Sequence, residues 1–394
     1  MREKLETFKH ILAQTTPEPV GIEIERGEGI YLFGPNGEKY IDFISGISVS
    51  NVGHSAPEVV KAIQEQAAKY LHPMVYGEYL LEPQMAYAEK LLSLLDDYFE
   101  SIYFTNSGTE AIEGSMKLAK KLTGRQKIIS CWNSYHGSTH GSLSLLGNDW
   151  MKEGYGPLLP NVQQIPFNDR EALNQIDEET ACIVIEALQG AGGMVIPDDG
   201  YLKAVSDRCR EVGALMILDE IQTGFGRTGS LFMHQSEGFV PDILVLAKAL
   251  GAGLPIGAFI TSQERIKALR ENPILGHITT YGGNPLSCAA GLASLNKILN
   301  EDLISQIPAK EAILKQRLQH SLIKTLRGRG LMYALIMEDF DQVAKLNKIL
   351  LKNGLLSCFF INIKNGLRLA PPLIITEEEM HHCCDVILAS LDEM

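Results

Sequence analysis

Short apolar runs alternate with stretches of helical periodicity along most of the chain. Residues 29–33 (GIYLF) and 39–43 (KYIDF) flank Pro35-Asn36-Gly37. Two such runs around an Asn-Gly turn predict a β-hairpin, since both turn residues tolerate positive φ. Residues 57–70 place Pro57 at a first helical position and repeat apolar residues at helical spacing, which predicts a helix. The run 101–105 (SIYFT) predicts a strand, and 109–122 predicts a helix. Similar short runs recur at 127–131, 181–186, 214–218 and 243–247. Strands that are apolar throughout are buried on both faces. With helices between them they predict a mostly parallel sheet covered on both sides, an α/β fold.

Near residue 290 the texture changes. A long helical pattern over 286–326 is followed by RGRGLMYALIM (327–337), a further helical pattern at 340–352, and the strand-like LLSCFFINI and LRLAPPL. This grouping predicts a second, smaller α+β domain. A chain of 394 residues allows roughly two to three domains. The expected division is an N-terminal segment, 1–50, that joins the small domain; a large domain, 51–289; and a small C-terminal α+β domain, 290–394.

Composition narrows the function. Apolar residues make up 45% and charged residues 21%, which excludes a disordered, collagenous or coiled-coil chain. The net charge of −13 repels phosphate backbones and anionic lipid, so neither nucleic acid nor a membrane is an expected partner. The apolar window 244–263 contains Lys248 and is broken by Gly251, Gly253, Pro255 and Gly257, so it does not read as a spanning helix. The first 20 residues lack an apolar core followed by a cleavage site. Seven cysteines, an odd number without a C-x-x-C, suit reduced thiols and a cytoplasmic location. His381-His382-Cys383-Cys384 resembles a metal cluster. Neighbours on a helix point about 100° apart, however, so the run cannot surround one ion, and no metal is expected.

Six places carry candidate chemistry. Ser107 and Glu110 have capping-box spacing between a strand and a helix, and Gly108 permits close backbone approach; such a helix start suits a phosphate, or is simply a capped helix. Asp219 ends an apolar strand, where ligands of open α/β sheets bind. It can hold a cation there, or merely open a loop. Lys248 follows the strand 243–247 into apolar, glycine-rich sequence. Burial disfavours its ammonium form and makes it nucleophilic; the alternative is a surface lysine whose head reaches solvent. Tyr135-His136-Gly137 can lie against a flat ring, or pack in the core. Thr280, before two glycines and the Asn284-Pro285 helix start, suits an anion or a tight turn. Arg368 in LRLAPPL suits a carboxylate, or is an ordinary strand arginine. Together the six ask for a ligand with a phosphate, an aromatic cation and a carbonyl that captures lysine. Pyridoxal 5′-phosphate has all three.

These residues sit in an ordered set of motifs. It runs from GIYLFGPNGEKYIDF through NSGTEA, YHG, MILDEIQTGFGRTG and LAKALGAGLPIGA to TYGGNPLSCAAG and RGRGLM. The set resembles the class III (subgroup II) pyridoxal-phosphate aminotransferases over nearly the whole chain. The resemblance implies fold type I, with a mostly parallel seven-stranded sheet in the large domain. It matches Lys248 to the Schiff-base lysine and Asp219 to the carboxylate on the pyridine nitrogen. Ser107, Gly108 and Thr109 match the phosphate cup, and Tyr135 the stacking aromatic, with His136 beside it. Glu186 matches a glutamate near the ring, and Gln222 a residue near the phenolic oxygen. Thr280 matches a phosphate-binding threonine donated by the other subunit, which implies a homodimer with active sites at the interface. Arg368 matches the arginine that grips the carboxylate of 2-oxoglutarate or an α-amino acid.

The implied reaction moves an amino group from a primary amine or ω-amino acid to a 2-oxo acid such as 2-oxoglutarate or pyruvate. An aminomutase, racemase or decarboxylase on the same fold is the alternative; a regulator without turnover fits less well, since the chemical residues are all present. Two positions depart from the family's acetylornithine and ornithine pattern. Gln189-Gly190-Ala191 replaces Q-G-E, whose glutamate neutralises the carboxylate-binding arginine. Ser138 follows Tyr135-His136-Gly137 where an arginine usually holds a far carboxylate.

Overall fold

A computed structural model describes residues 2–74 and 77–394. The chain begins its sheets with β1 (Arg26–Glu28), β2 (Tyr31–Phe33) and β3 (Lys39–Asp42). A central group follows: β4 (Ser101–Thr105), β5 (Lys127–Cys131), β6 (Val162–Ile165), β7 (Thr180–Glu186), β8 (Leu215–Asp219), β9 (Ile243–Ala247) and β10 (Gly257–Thr261). The last quarter adds β11 (Thr325–Arg329), β12 (Met332–Ile336), β13 (Leu355–Leu356), β14 (Cys358–Phe359) and β15 (Gly366–Leu369).

The central strands form one seven-stranded sheet in the order β4-β10-β9-β8-β7-β5-β6. β5 to β9 run parallel to their neighbours among themselves. β10 is antiparallel to both β4 and β9. Every residue of β7, β8, β9 and β10 is buried. Alternate side chains divide between two cores: Ile183, Ile185, Met216 and Leu218 join one, and Cys182, Val184, Leu215 and Ile217 the other. That division explains why these strands lack any polar alternation. The Gly108–Thr123 helix covers the second core with Ala111, Ile112, Met116, Leu118 and Ala119.

Two strands of the central sheet escape the sequence pattern. β6 is short and half polar (VQQI). β10 hides in the glycine-rich stretch after Lys248. A Cβ on its first residue, Gly257, would lie 2.2 Å from the Ser107 carbonyl oxygen. The glycine there serves close backbone approach inside a strand.

The single helix predicted over 286–326 is corrected to two, Pro285–Asn300 and Ile307–Arg317, followed by β11. Asp302 takes a left-handed φ of 46° in the break. Pro308, in the first turn of the second helix, cannot continue the preceding one because it lacks an N–H donor. Asn284 caps the first helix by accepting from the Leu286 N–H at 3.0 Å.

β11 and β12 form a hairpin in a four-stranded sheet of order β11-β12-β15-β14. The N-terminal sheet β1-β2-β3 gains β13 as a parallel neighbour of β3, so chain from both ends shares one sheet. His381 to Cys384 lie within the Glu377–Asp392 helix. Among the described residues no group of three or more His, Cys, Asp or Glu is placed to hold a metal ion. No helix among them is long and apolar enough to cross a membrane.

Candidate active site

The carboxyl ends of β7, β8 and β9 converge on one cavity of about 540 Å³. Glu186 ends β7 and pairs in register with Asp219, which ends β8. Lys248 follows directly on β9. Open parallel sheets place ligands at this edge, because the chain leaves each strand there with free polar groups.

Lys248 lines the cavity with a left-handed φ of 51°. Burial lowers its ammonium pKa to about 8; the nearby Asp219 opposes that shift and Arg368 adds to it. Asp219 is held from two sides. One carboxylate oxygen accepts from the Ile221 N–H at 2.9 Å, and the other lies 2.7 Å from His136 Nδ1. The opposite nitrogen of that ring, Nε2, is buried without a partner among the described residues. Glu186 accepts from the N–H groups of Tyr135 (3.1 Å) and Gly190 (2.8 Å). Burial raises its pKa to about 7, with His136 pulling it down and Asp219 pushing it up. The site therefore holds a near-neutral carboxyl beside an anchored one, and a lysine that loses its proton readily.

The Gly108–Thr123 helix supplies the opposite wall. Ser107 is its N-cap, accepting from the Glu110 N–H at 3.3 Å. The return arm of the capping box shifts by one residue: the Glu110 carboxylate accepts from the Asn106 N–H at 2.8 Å. The first N–H groups of a helix have no acceptor within it, and its dipole favours an anion. Thr109 lines the cavity, but its hydroxyl lies 2.7 Å from Thr139 Oγ1 and 3.0 Å from Ser142 Oγ, so its backbone is what it can offer a phosphate. Glycines keep the cup open. A Cβ on Gly108 would lie 2.7 Å from the Ile221 side chain, and one on Gly137 2.3 Å from the Thr109 hydroxyl.

Tyr135, His136, Gly137 and Ser138 line the cavity together, with the Tyr135 and Ser138 hydroxyls 2.9 Å apart. Gln222 reaches it from the loop after β8. Arg368, on β15, stands one layer behind and donates to Gln222 Oε1 at 2.9 Å. It is 3% exposed, packs 4.7 Å from the Phe360 ring centre, and forms no ion pair among the described residues. Thr280 is exposed and does not line the cavity of its own chain. Its neighbour Thr279 accepts from the Asn106 side chain at 2.7 Å, which ties that loop to the phosphate-side wall.

Sequence reasoning missed the apolar lining from Val49, Leu188 and Leu254–Ile256. Val49 follows an unusual turn in which Ser45, Gly46, Ile47 and Ser48 all take positive φ. No local signal announces it, because three of those four residues ordinarily avoid that region.

The sequence pattern of the aminotransferase class-III family matches residues 12–391, and the chain belongs to that family. The acetylornithine aminotransferase of Methanocaldococcus jannaschii is 40% identical over 387 residues, covering 95% of this chain and 93% of its own length. The crystallised ornithine aminotransferase of Toxoplasma gondii, described with partial occupancy of PLP, superposes with a TM-score of 0.92 at 30% identity, over 100% of this chain and 94% of that one. The adenosylmethionine-8-amino-7-oxononanoate aminotransferase of M. jannaschii gives 0.91 at 30% identity, over 100% and 99%. The protein is thus a pyridoxal 5′-phosphate-dependent transaminase that passes an amino group between an amine and a 2-oxo acid. Its own residues fit that cofactor: a helix start kept open by glycines, a buried carboxylate, and a lysine of lowered pKa.

Proposed function

We propose that Lys248 anchors the cofactor and then carries the proton that transamination must move. Asp219 holds the pyridine nitrogen, and the backbone of Ser107, Gly108 and Thr109 holds the phosphate. The observation that carries this reading is the meeting of Lys248, Asp219 and Glu186 at adjacent strand ends, opposite a helix N-terminus. When bound, the cofactor supplies an electron sink for the bond broken beside the substrate nitrogen. His136 keeps Asp219 fixed, Tyr135 flanks the ring, and Glu186 and Gln222 border it. Lys248 Nζ takes the proton from the substrate carbon and gives it up on the cofactor side of the substrate nitrogen, a task suited to a pKa near working pH.

Arg368 receives the carboxylate of the 2-oxo acid. The proposed donor is a primary amine or ω-amino acid. Ser138 is short, neutral and hydrogen-bonded to Tyr135, so this position offers no cation for a second carboxylate. The test is a donor screen, including N-acetylornithine and 8-amino-7-oxononanoate's amine donors, read as conversion of the bound cofactor to its amine form. Conversion with release of a free oxo product is expected. Racemisation or CO₂ release without it would overturn the reading.

The lysine sets a pH dependence. Only the neutral amine attacks a carbonyl. Its pKa of about 8 in place of 10.5 means that this fraction falls as pH drops below 8. Reconstitution of the apoenzyme, followed by absorbance, should slow about tenfold per pH unit below that point and level off above it.

The proposal includes a homodimer in which Thr280 completes the partner's phosphate site. Leu71, Met74, Leu80, Ile274 and Ile278 are all exposed, Leu80 by 90% and Ile274 by 78%. Such apolar exposure supports an association surface. Sedimentation should give twice the chain mass, and Thr280→Ala should weaken cofactor retention without changing that mass. A monomer that retains cofactor fully would refute it. The pairing of β3 with β13 supports grouping residues 1–50 with the small domain, 290–394. Seven unpaired cysteines support a cytoplasmic location.

A further inference from the structure

Arg227 lies in the loop after Asp219 and has no part in the roles above. It is completely buried, and no carboxylate touches it among the described residues, although Asp42 stands near enough to act on its charge. One terminal nitrogen, Nη1, donates to the Leu331 carbonyl at 3.0 Å and also to the Pro371 carbonyl. The other, Nη2, donates to Asn51 Oδ1. The Arg227 carbonyl accepts from the Leu331 N–H at 2.9 Å. Asn51 closes the ring: its side chain donates to the Phe225 carbonyl at 3.0 Å, and its carbonyl accepts from the Leu373 N–H at 2.8 Å. One guanidinium thus ties together the chain just after the N-terminal segment, its own loop, the β11–β12 turn and the chain leaving β15.

Burying a charge without a counter-ion in contact is costly, and an apolar side chain of similar volume would fill the space more cheaply. What the arginine adds is direction, since its rigid fork meets several acceptors at set angles. Two of the segments it joins lead straight to the active site. Pro371 stands three residues after Arg368, and Phe225 three residues after Gln222. Those two arms meet again where Arg368 donates to Gln222 at 2.9 Å.

We propose that Arg227 is a positioning residue for carboxylate recognition: it sets how far the Arg368 guanidinium stands from the cofactor side of the cavity. The inference rests on the reading of Arg368 as the carboxylate-binding group. Arg227→Lys keeps the charge but loses the fork. In the holoenzyme it should leave the cofactor's visible absorbance and kcat nearly unchanged. The KM for the 2-oxo acid should rise about tenfold, a scale that fits a small displacement of a binding group. The KM for a donor without a carboxylate should not move. Asn51→Ala, which retains the guanidinium and removes one acceptor, should raise the same KM by about threefold. It guards against a fold too damaged to interpret.

Arg368→Gln is measured alongside. If it raises KM while both the Arg227 and Asn51 variants alter only Tm, Arg227 is structural and the proposal fails alone. If Arg368→Gln leaves KM unchanged, the carboxylate reading fails and takes this inference with it.

Discussion

Replacing Lys248 with alanine is expected to abolish turnover, by at least about 10⁴-fold in kcat, while the protein still folds and takes up the cofactor without a covalent link. Two functions are lost together. The amine that captures the cofactor's carbonyl is gone, and so is the group that moves a proton at the substrate carbon. Neither has a second lysine to replace it among the described residues that line the cavity. His136 is committed to Asp219 through Nδ1, and Glu186 is held by two backbone N–H groups. Folding should survive, because removing an ammonium whose pKa burial already depresses relieves a desolvation cost. Absorbance spectroscopy and steady-state rates check both halves. A variant that turned over within tenfold of the parent would place the chemistry elsewhere.

The second large effect concerns Arg368. Arg368→Gln should lower kcat/KM for the 2-oxo acid by about 10²- to 10³-fold, the range for losing one partner of a buried, hydrogen-bonded charge pair. The resting site explains the size. The guanidinium is buried, its Nε has no partner among the described residues, and its neighbours are the neutral Gln222, the Cys358 thiol and the face of Phe360. Burial lowers its pKa, as expected of a cation waiting for an anion. A substrate carboxylate therefore brings the missing counter-charge. The same reasoning gives the variant's Tm an expected sign: it should hold or rise, because glutamine removes an unpaired buried charge. A fall in Tm with KM unchanged would mark Arg368 as structural.

Much of the large domain was legible because its strands carry one message on both faces. Apolar runs at 127–131, 181–186, 214–218 and 243–247 became β5, β7, β8 and β9 within a residue or so. The central strands that were missed carry it less plainly: β6 is half polar, and β10, though buried throughout, opens on a glycine demanded by the Ser107 carbonyl. The long helix over 286–326 failed for a local reason, since apolar periodicity survives a break that Asp302 and Pro308 impose on the backbone.

The site divides the same way. Asp219 and Lys248 were visible because a polar residue closing an apolar strand stands out. Ser107 was visible through its spacing to Glu110. The network of Arg227, Asn51, Leu331 and Pro371 was not, because it joins positions up to 320 residues apart and leaves no local trace. The partners of the Thr109 hydroxyl were not legible either: nothing near it in sequence foretells Thr139 and Ser142.

The two-sided strands carry one more implication. In a strand with one greasy face, a slip of one residue turns every side chain the wrong way and is punished at once. In β7, β8 and β9 a slip merely trades one packed layer for the other. Alignment must then be enforced where the apolar text stops, at Glu186, Asp219 and Lys248. A misaligned strand would drag one of these ionisable ends into the hydrocarbon interior. The residues that do the chemistry thus also serve as the punctuation that keeps neighbouring strands in phase.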